Sequence, residues 1–338
     1  MQSTMKALIC ESYGGPEVLR LEEAGVPQTG PHGVLVRVYA SSVNPIDWKL
    51  RQGMMRSVMP LIFPVIWGAD LSGVVEQVGS AVTRFKPGDE VYGFKDGRVA
   101  RTYRGTYAEY VAVPESALAR KPAGLTHEEA ASIPLAALTA WQGLVVQGKM
   151  KSGDRVLIHA GAGGVGIFAI QIAKAFGAEV AATAGTRNQD FLRQIGADVC
   201  IDYERERLED RISGCNLVLD GVGESVWASS FRVMKPGGKM MTLLAPIPRD
   251  GASKLRFYSY AASHMITWTL RGALGGKRLL LTQGKPRGEA LEEITKLIEA
   301  GRMRTVIERV FPLEEMAEAH RLSETGHVRG KIVVKVAA

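Results

Sequence analysis

Cysteine is scarce in this 338-residue chain: only Cys10, Cys200 and Cys215 are present. Widely separated and odd in number, they exclude a disulfide framework and point to reduced thiols inside a cell. Each falls in or beside an apolar, strand-like run, where a small buried core residue is the plain reading. The amino terminus lacks the basic-then-apolar pattern of a secretory leader, and the expectation is a cytoplasmic protein. No apolar run reaches about 18 residues, which excludes a membrane-spanning helix. The nearest stretch, Met54 to Trp67, is broken by Arg56, Pro60 and Pro64 and reads as a loop lining a pocket. The six histidines show no ligand-like spacing. Lysine and arginine are scattered and not interleaved with aromatics, which argues against a nucleic-acid partner. The net charge of +7 is better used to attract a phosphorylated small molecule.

The length suffices for two domains with separate cores. Residues 5 to 127 read as β: short alternating or β-branched runs such as Lys6–Cys10, Gly33–Val38, Gly73–Val78, Glu90–Tyr92 and Ala108–Val113 are parted by Gly, Pro and Asp turns. This pattern suggests a partly open antiparallel barrel. From 128 onward, strands and helices alternate. The runs Arg155–His159, Glu179–Thr183, Val199–Asp202, Leu217–Asp220, Lys239–Leu244 and Arg278–Thr282 suit a doubly wound parallel sheet. A helix near Gly288–Ala300 and a strand at Gly330–Val336 should return to the first domain. The expected division is therefore 1–127 with 285–338, and 128–284.

The richest stretch is His159 to Gly166, which reads HAGAGGVG. It follows an apolar strand and opens a segment with helical apolar spacing, the context that a dinucleotide fingerprint requires. Gly161 permits the tight turn, Gly163 lets backbone approach a pyrophosphate, and Gly166 lets the helix pack closely on the strand. The first-turn N–H groups of Gly164, Val165 and Gly166 are offered to the anion. An NAD-selective site places an acid near the end of the second strand to accept from the ribose hydroxyls. Here that stretch, 183–188, has no acid. Thr186 can donate to a 2′-phosphate and Arg187 can pair with it bidentately, so NADPH is the expected cofactor. Arg187 is otherwise a solvated arginine at a helix start. Tyr203 either lies against the same end of the cofactor or packs locally.

A series of further motifs runs the length of the chain. It opens with Met5-Lys6-Ala7 and Gly14-Gly15-Pro16-Glu17-Val18-Leu19, then Val43-Asn44-Pro45-Ile46-Asp47-Trp48-Lys49. Gly79-Ser80-Ala81-Val82, Gly88-Asp89-Glu90-Val91, Gly105-Thr106-Tyr107-Ala108-Glu109-Tyr110 and Ala137-Leu138-Thr139-Ala140 follow. Pro236-Gly237-Gly238-Lys239 and Gly330-Lys331-Ile332-Val333-Val334 complete it. With the glycine turn, these resemble the zinc-independent medium-chain dehydrogenase/reductases of the quinone oxidoreductase group. The resemblance implies a GroES-like, partly open β-barrel domain joined to a Rossmann domain with a doubly wound parallel sheet. Zinc alcohol dehydrogenases of the superfamily carry Cys where Asn44 stands and Gly-His-Glu at Gly68-Ala69-Asp70. This chain has neither that Cys nor that His, and no four-cysteine lobe, so zinc lacks its ligands.

Without a Lewis acid, an electron-poor acceptor is the easier substrate. A quinone or an α,β-unsaturated carbonyl compound takes hydride at a conjugated carbon and spreads the charge over its own oxygen. By resemblance, Asn44 lies beside the nicotinamide, Thr139 near the opposite part of that site, and Lys49 contacts cofactor and donates toward the substrate oxygen. Asn44 is otherwise a turn residue before Pro45, Lys49 a solvated helix-start lysine, and Asp47 an orienting neighbour. Phe63, Trp67 and Met54 either line an apolar acceptor site or pack in the core. No proton donor is identifiable, and bulk water suffices. The alternative from another class is a non-catalytic NADPH-binding protein, crystallin-like or an interaction partner. Relatives pair through the last strand of the nucleotide sheet, here Arg278–Thr282, so a homodimer is expected by analogy.

Overall fold

The computed structural model describes residues 3–57, 59–96, 104–244 and 254–337. The chain divides into two units, Met1–Leu138 with Lys285–Ala338, and Thr139–Gly284.

The first unit is built around the strand Gly33–Val43, whose alternation points Val34, Val36 and Val38 into one core with Leu71, Val91, Val111 and Leu118. It pairs antiparallel with Asp70–Val78, Tyr110–Pro114 and the late strand Lys331–Lys335. These belong to a seven-stranded sheet that runs from Ile307–Pro312 at one edge to Leu118–Arg120 at the other. A separate sheet of three strands joins Arg20–Gly25, Thr4–Cys10 and Val65–Ile66. This is the GroES-like half of the expected fold.

Differences from expectation have local causes. Arg20–Gly25 and Ile307–Pro312 carry too many charges to read as strands; they sit at sheet edges, where most of their side chains meet solvent. The stretch Met54–Trp67 is not a loop throughout, because Val65–Ile66 pairs with Ile9 and Cys10. The first unit extends past residue 127 to Leu138. The helix His127–Ala131 is held there: His127 Nδ1 lies 2.8 Å from Ser72 Oγ and its ring stacks on Tyr39 at 4.7 Å.

In the second unit we number the strands β1 (Arg155–Ile158), β2 (Glu179–Ala184), β3 (Val199–Asp202), β4 (Cys215–Asp220), β5 (Met234–Thr242) and β6 (Arg278–Leu281). All pairs are parallel and the order is β3-β2-β1-β4-β5-β6, the doubly wound arrangement with its reversal between β1 and β4. Leu157, Ala181, Ile201, Val218 and Met240 from five neighbouring strands pack with Trp227 and Phe231. The helix Gly164–Ala175 is buried on almost every side from Gly166 to Ala173, so it reads as apolar rather than amphipathic.

Polar groups pin the loop after β4. The buried Asp220 accepts from the N–H groups of Val222 (2.8 Å) and Gly223 (2.9 Å) through one oxygen. Its other oxygen accepts from Trp227 Nε1 at 2.8 Å and Thr242 Oγ1 at 2.9 Å. At the end of β1, Ser230 donates to the carbonyl of Val226, so it must accept from His159 Nε2 (2.9 Å), leaving Nδ1 to accept from Thr183 (3.1 Å). This fixes a neutral tautomer.

Burial pushes His159 down to about 4; in the first unit, burial followed by the Arg51 charge pushes His320 down to about 3. An unfolded histidine titrates near about 6.5, so the unfolded chain takes up these protons first. The stability both groups contribute is fully present above that pH and is lost as pH falls toward 4 and 3. Thermal unfolding should therefore move to lower temperature between pH 7 and pH 5. Neither ring nitrogen of His320 has a hydrogen-bond partner among the described residues. His320→Leu should accordingly flatten that slope; an unchanged slope would show that His320 is not buried as a neutral ring.

Candidate active site

The glycine turn lies at the end of β1, beside the reversal in strand order. Gly161 and Gly166 are closed positions: a Cβ on Gly161 would stand 2.9 Å from Leu192 Cδ2, and one on Gly166 would stand 2.3 Å from the Ala160 carbonyl oxygen. Gly163 is open, with only that same oxygen within reach, at 3.3 Å. Ala160 adopts φ 52°, a left-handed conformation rare outside glycine and common where backbone is shaped for a ligand. Gly163 caps the helix Gly164–Ala175, so the N–H groups of Gly164, Val165 and Gly166 have no acceptor within it. An open backbone surface beside free N–H groups fits the diphosphate of a dinucleotide.

At the end of β2 the turn Gly185-Thr186-Arg187 meets residues from the end of β3. Thr186 Oγ1 donates to Asp202 Oδ2 at 2.6 Å and lies 3.0 Å from Glu204 Oε2. Asp202 Oδ1 in turn accepts from the Glu204 N–H at 3.0 Å. The stretch 183–188 carries no acid, yet two carboxylates reach it from outside. In the structure the single hydroxyl proton of Thr186 is engaged by Asp202 and not offered outward to a phosphate. Tyr203 is 64% exposed and its hydroxyl points back toward Gly185, where an added Cβ would lie 3.3 Å away. Arg187 stands on the same turn.

In the first unit Asn44 ends the long strand Gly33–Val43 and caps the helix Pro45–Arg51. Lys331 Nζ donates to Asn44 Oδ1 at 2.6 Å, and Asn44 Nδ2 donates to Asp70 Oδ2 at 2.8 Å. Because a lysine ammonium only donates, the amide can face only one way. Asp70, with no exposure, also accepts from Ser42 Oγ at 2.5 Å and from the N–H of Leu135 at 2.7 Å, and Lys331 Nζ lies 3.4 Å away. Asp47 accepts from the Asn44 N–H (2.8 Å) and Tyr107 (3.0 Å); burial first, and the Asp70 charge also, push its carboxyl up to about 7.

Lys49, half-buried on the same helix, is lowered by burial and stands 5.4 Å from the centre of the Trp48 ring. Thr139 is buried on the helix Pro134–Trp141 and is the first residue of the second unit. Of the apolar candidates, Trp67 belongs to a core cluster with Leu8, Val43 and Tyr107, and Phe63 packs against that cluster and edge-on to Tyr13. Met54 alone is substantially exposed, at 46%. The sequence reading saw Asp70 only as a replaced ligand position and Lys331 only as part of a terminal motif. Their pairing, across 261 positions of sequence, depends on the strand register that sets Ile332 opposite Val43, for which the chain carries no local signal.

Residues 30–123 match the family described as alcohol dehydrogenase GroES-like domain, and residues 195–334 match that described as zinc-binding dehydrogenase. The chain belongs to the medium-chain dehydrogenase/reductase superfamily, in its quinone oxidoreductase group. As such it is an oxidoreductase that works with a nicotinamide cofactor. It is 36% identical to the mouse (Mus musculus) protein named NAD(P)H oxidoreductase RTN4IP1, mitochondrial, over 99% of this chain and 90% of that one. It is also 36% identical to the NADPH-dependent alkenal/one oxidoreductase, chloroplastic, of Arabidopsis thaliana, over 98% and 79% respectively. The solved structure of the quinone oxidoreductase from Coxiella burnetii superposes with a TM-score of 0.83 at 36% identity, over 99% of this chain and all of that one. The organellar names of such relatives are at odds with the expectation of a cytoplasmic protein. No helix among the described residues is long and apolar enough to cross a membrane.

The zinc in one family description does not fit the residues present. Asn44 stands at the superfamily's Cys position and Ala69 at its His position, and Asn44 and the neighbouring Asp70 are engaged by the Lys331 ammonium, which would repel a dication. Among the described residues no group of three or more His, Cys, Asp or Glu is placed to hold a metal ion. Lys331→Met would leave Asp70 buried without its counter-charge. Its cost should be about 3–5 kcal/mol in denaturant unfolding; a loss below about 1 kcal/mol, the range of an exposed pair, would refute the buried pairing.

Proposed function

We propose that this protein is an NADPH-dependent, metal-independent reductase of quinones or of the activated C=C bond of α,β-unsaturated carbonyl compounds. The observation that carries this reading is the cradle at Gly163, open on one side, backed by the closed positions Gly161 and Gly166 and capped by free helix N–H groups. When bound, the nicotinamide supplies a hydride to an electron-poor carbon. The names of the alkenal/one oxidoreductase and quinone oxidoreductase relatives agree with that choice of acceptor.

The roles assigned to the chain's own residues follow from their surroundings. Gly161, Gly163, Gly164, Val165 and Gly166 hold the diphosphate, and Arg187 with Tyr203 faces the adenosine end. Asn44 has its carbonyl end taken by Lys331 and one N–H by Asp70, so a single N–H remains to donate to a cofactor or substrate oxygen. Lys49, whose ammonium is lowered by burial, is poised to donate toward the acceptor oxygen. Thr139 acts near the nicotinamide. The assembly we assign is a homodimer joined at β6, the last strand of its sheet.

Steady-state NADPH oxidation with a naphthoquinone, an alkenal and a haloacrylate, side by side, tests the reading. Turnover of at least one is expected; tight NADPH binding with no turnover of any would identify a non-catalytic binding protein instead. Arg187→Ala should weaken NADPH binding about tenfold, the worth of a charge-assisted contact, while leaving NADH nearly unchanged. An equal loss for both nucleotides would remove Arg187 from the phosphate.

A further inference from the structure

The adenosine end of the cradle contains groups of both charges, and their arrangement bears on which nucleotide the cradle prefers. Thr186, the first side chain after β2, gives its hydroxyl proton to Asp202 and lies 3.0 Å from Glu204 Oε2. Toward a ligand its oxygen is thus an acceptor, suited to a ribose hydroxyl and unsuited to a phosphate. The other Glu204 oxygen, Oε1, reaches over Gly185, where an added Cβ would lie only 2.4 Å from it. Asp202 is buried, with the Arg205 guanidinium 3.8 Å away, so part of its charge is offset. Glu204 is exposed and has no cation within ion-pair distance among the described residues. Its carboxylate stands against Thr186 and Gly185, on the turn that ends β2.

We infer that Glu204 is the residue that sets how strongly this protein discriminates between NADPH and NADH. Its carboxylate accepts from the ribose 2′-hydroxyl of NADH, as an acid near the second strand does in NAD-selective sheets, and repels the 2′-phosphate that Arg187 attracts. The two side chains oppose each other, and the protein retains NADH binding despite its preference for the phosphorylated form. This inference rests on the dinucleotide reading of the Gly163 cradle.

The test is equilibrium titration of NADPH and of NADH, without substrate, into the unaltered protein, Glu204→Gln and Glu204→Asp. Glu204→Gln should tighten NADPH about five- to tenfold, the scale of one charge acting on a phosphate dianion across water, and change NADH by less than about twofold. Glu204→Asp should behave as the unaltered protein. Glu204→Ala, which removes the acceptor as well as the charge, should tighten NADPH as the Gln variant does and weaken NADH several-fold. Unchanged NADPH affinity in the Gln and Ala variants, or equal tightening of both nucleotides, overturns the inference while leaving the cradle intact. Failure of the unaltered protein to bind either nucleotide overturns the cradle and the inference together.

Discussion

The first unit depends on one carboxylate withdrawn from water. Burying an ionised carboxyl is costly unless it is paired and hydrogen-bonded. Asp70 meets that condition only by recruiting Ser42 and Asn44 from one strand, the Leu135 N–H from a helix, and Lys331 from the far end of the chain. None of these segments can take its place without the others. The network that neutralises the charge also holds the amide of Asn44 in one orientation. Pre-organisation of this kind is what a site needs if a single N–H is to meet a reacting molecule.

The second unit solves a similar problem by different means. Asp220, also buried at a strand end, has no ion pair among the described residues and is satisfied by four neutral donors that shape the loop following β4. His159, at the end of β1, is held neutral by two hydroxyl partners. The two strand ends flanking the reversal in sheet order are therefore each tied by hydrogen bonds to neutral partners. The turns after β2 and β3 are built oppositely, from exposed side chains of mixed charge. Charges there are exposed, so each acts through water and is cheap to change.

Much of the fold was legible because its signals are local. The strands at Gly33, at Glu179 and at Val199 declare themselves through β-branched and apolar runs, and the glycine turn through spacing within eight residues. Strands whose stability comes from a neighbour were not legible. Arg20–Gly25 and Ile307–Pro312 are polar segments at sheet edges, and Val65–Ile66 is two residues long. The helix His127–Ala131 looked like the start of the nucleotide unit, but the stacking of His127 on Tyr39 places it with the first. Trp67 was equally suited to a pocket or a core, and packing assigned it to the core.

For the site the same division holds. Residue type and spacing alone determined that a strand, a glycine turn and a helix would follow one another, because these signals act within a few residues. They also show that the Cys and His of the zinc enzymes have no counterpart at Asn44 and Ala69. Tertiary structure alone decided that Lys331 would stand against Asn44, that Thr186 would surrender its proton to Asp202, and that Glu204 would lie against Thr186 and Gly185. These are electrostatic facts, and electrostatic energy depends on distances through space that sequence separation does not encode.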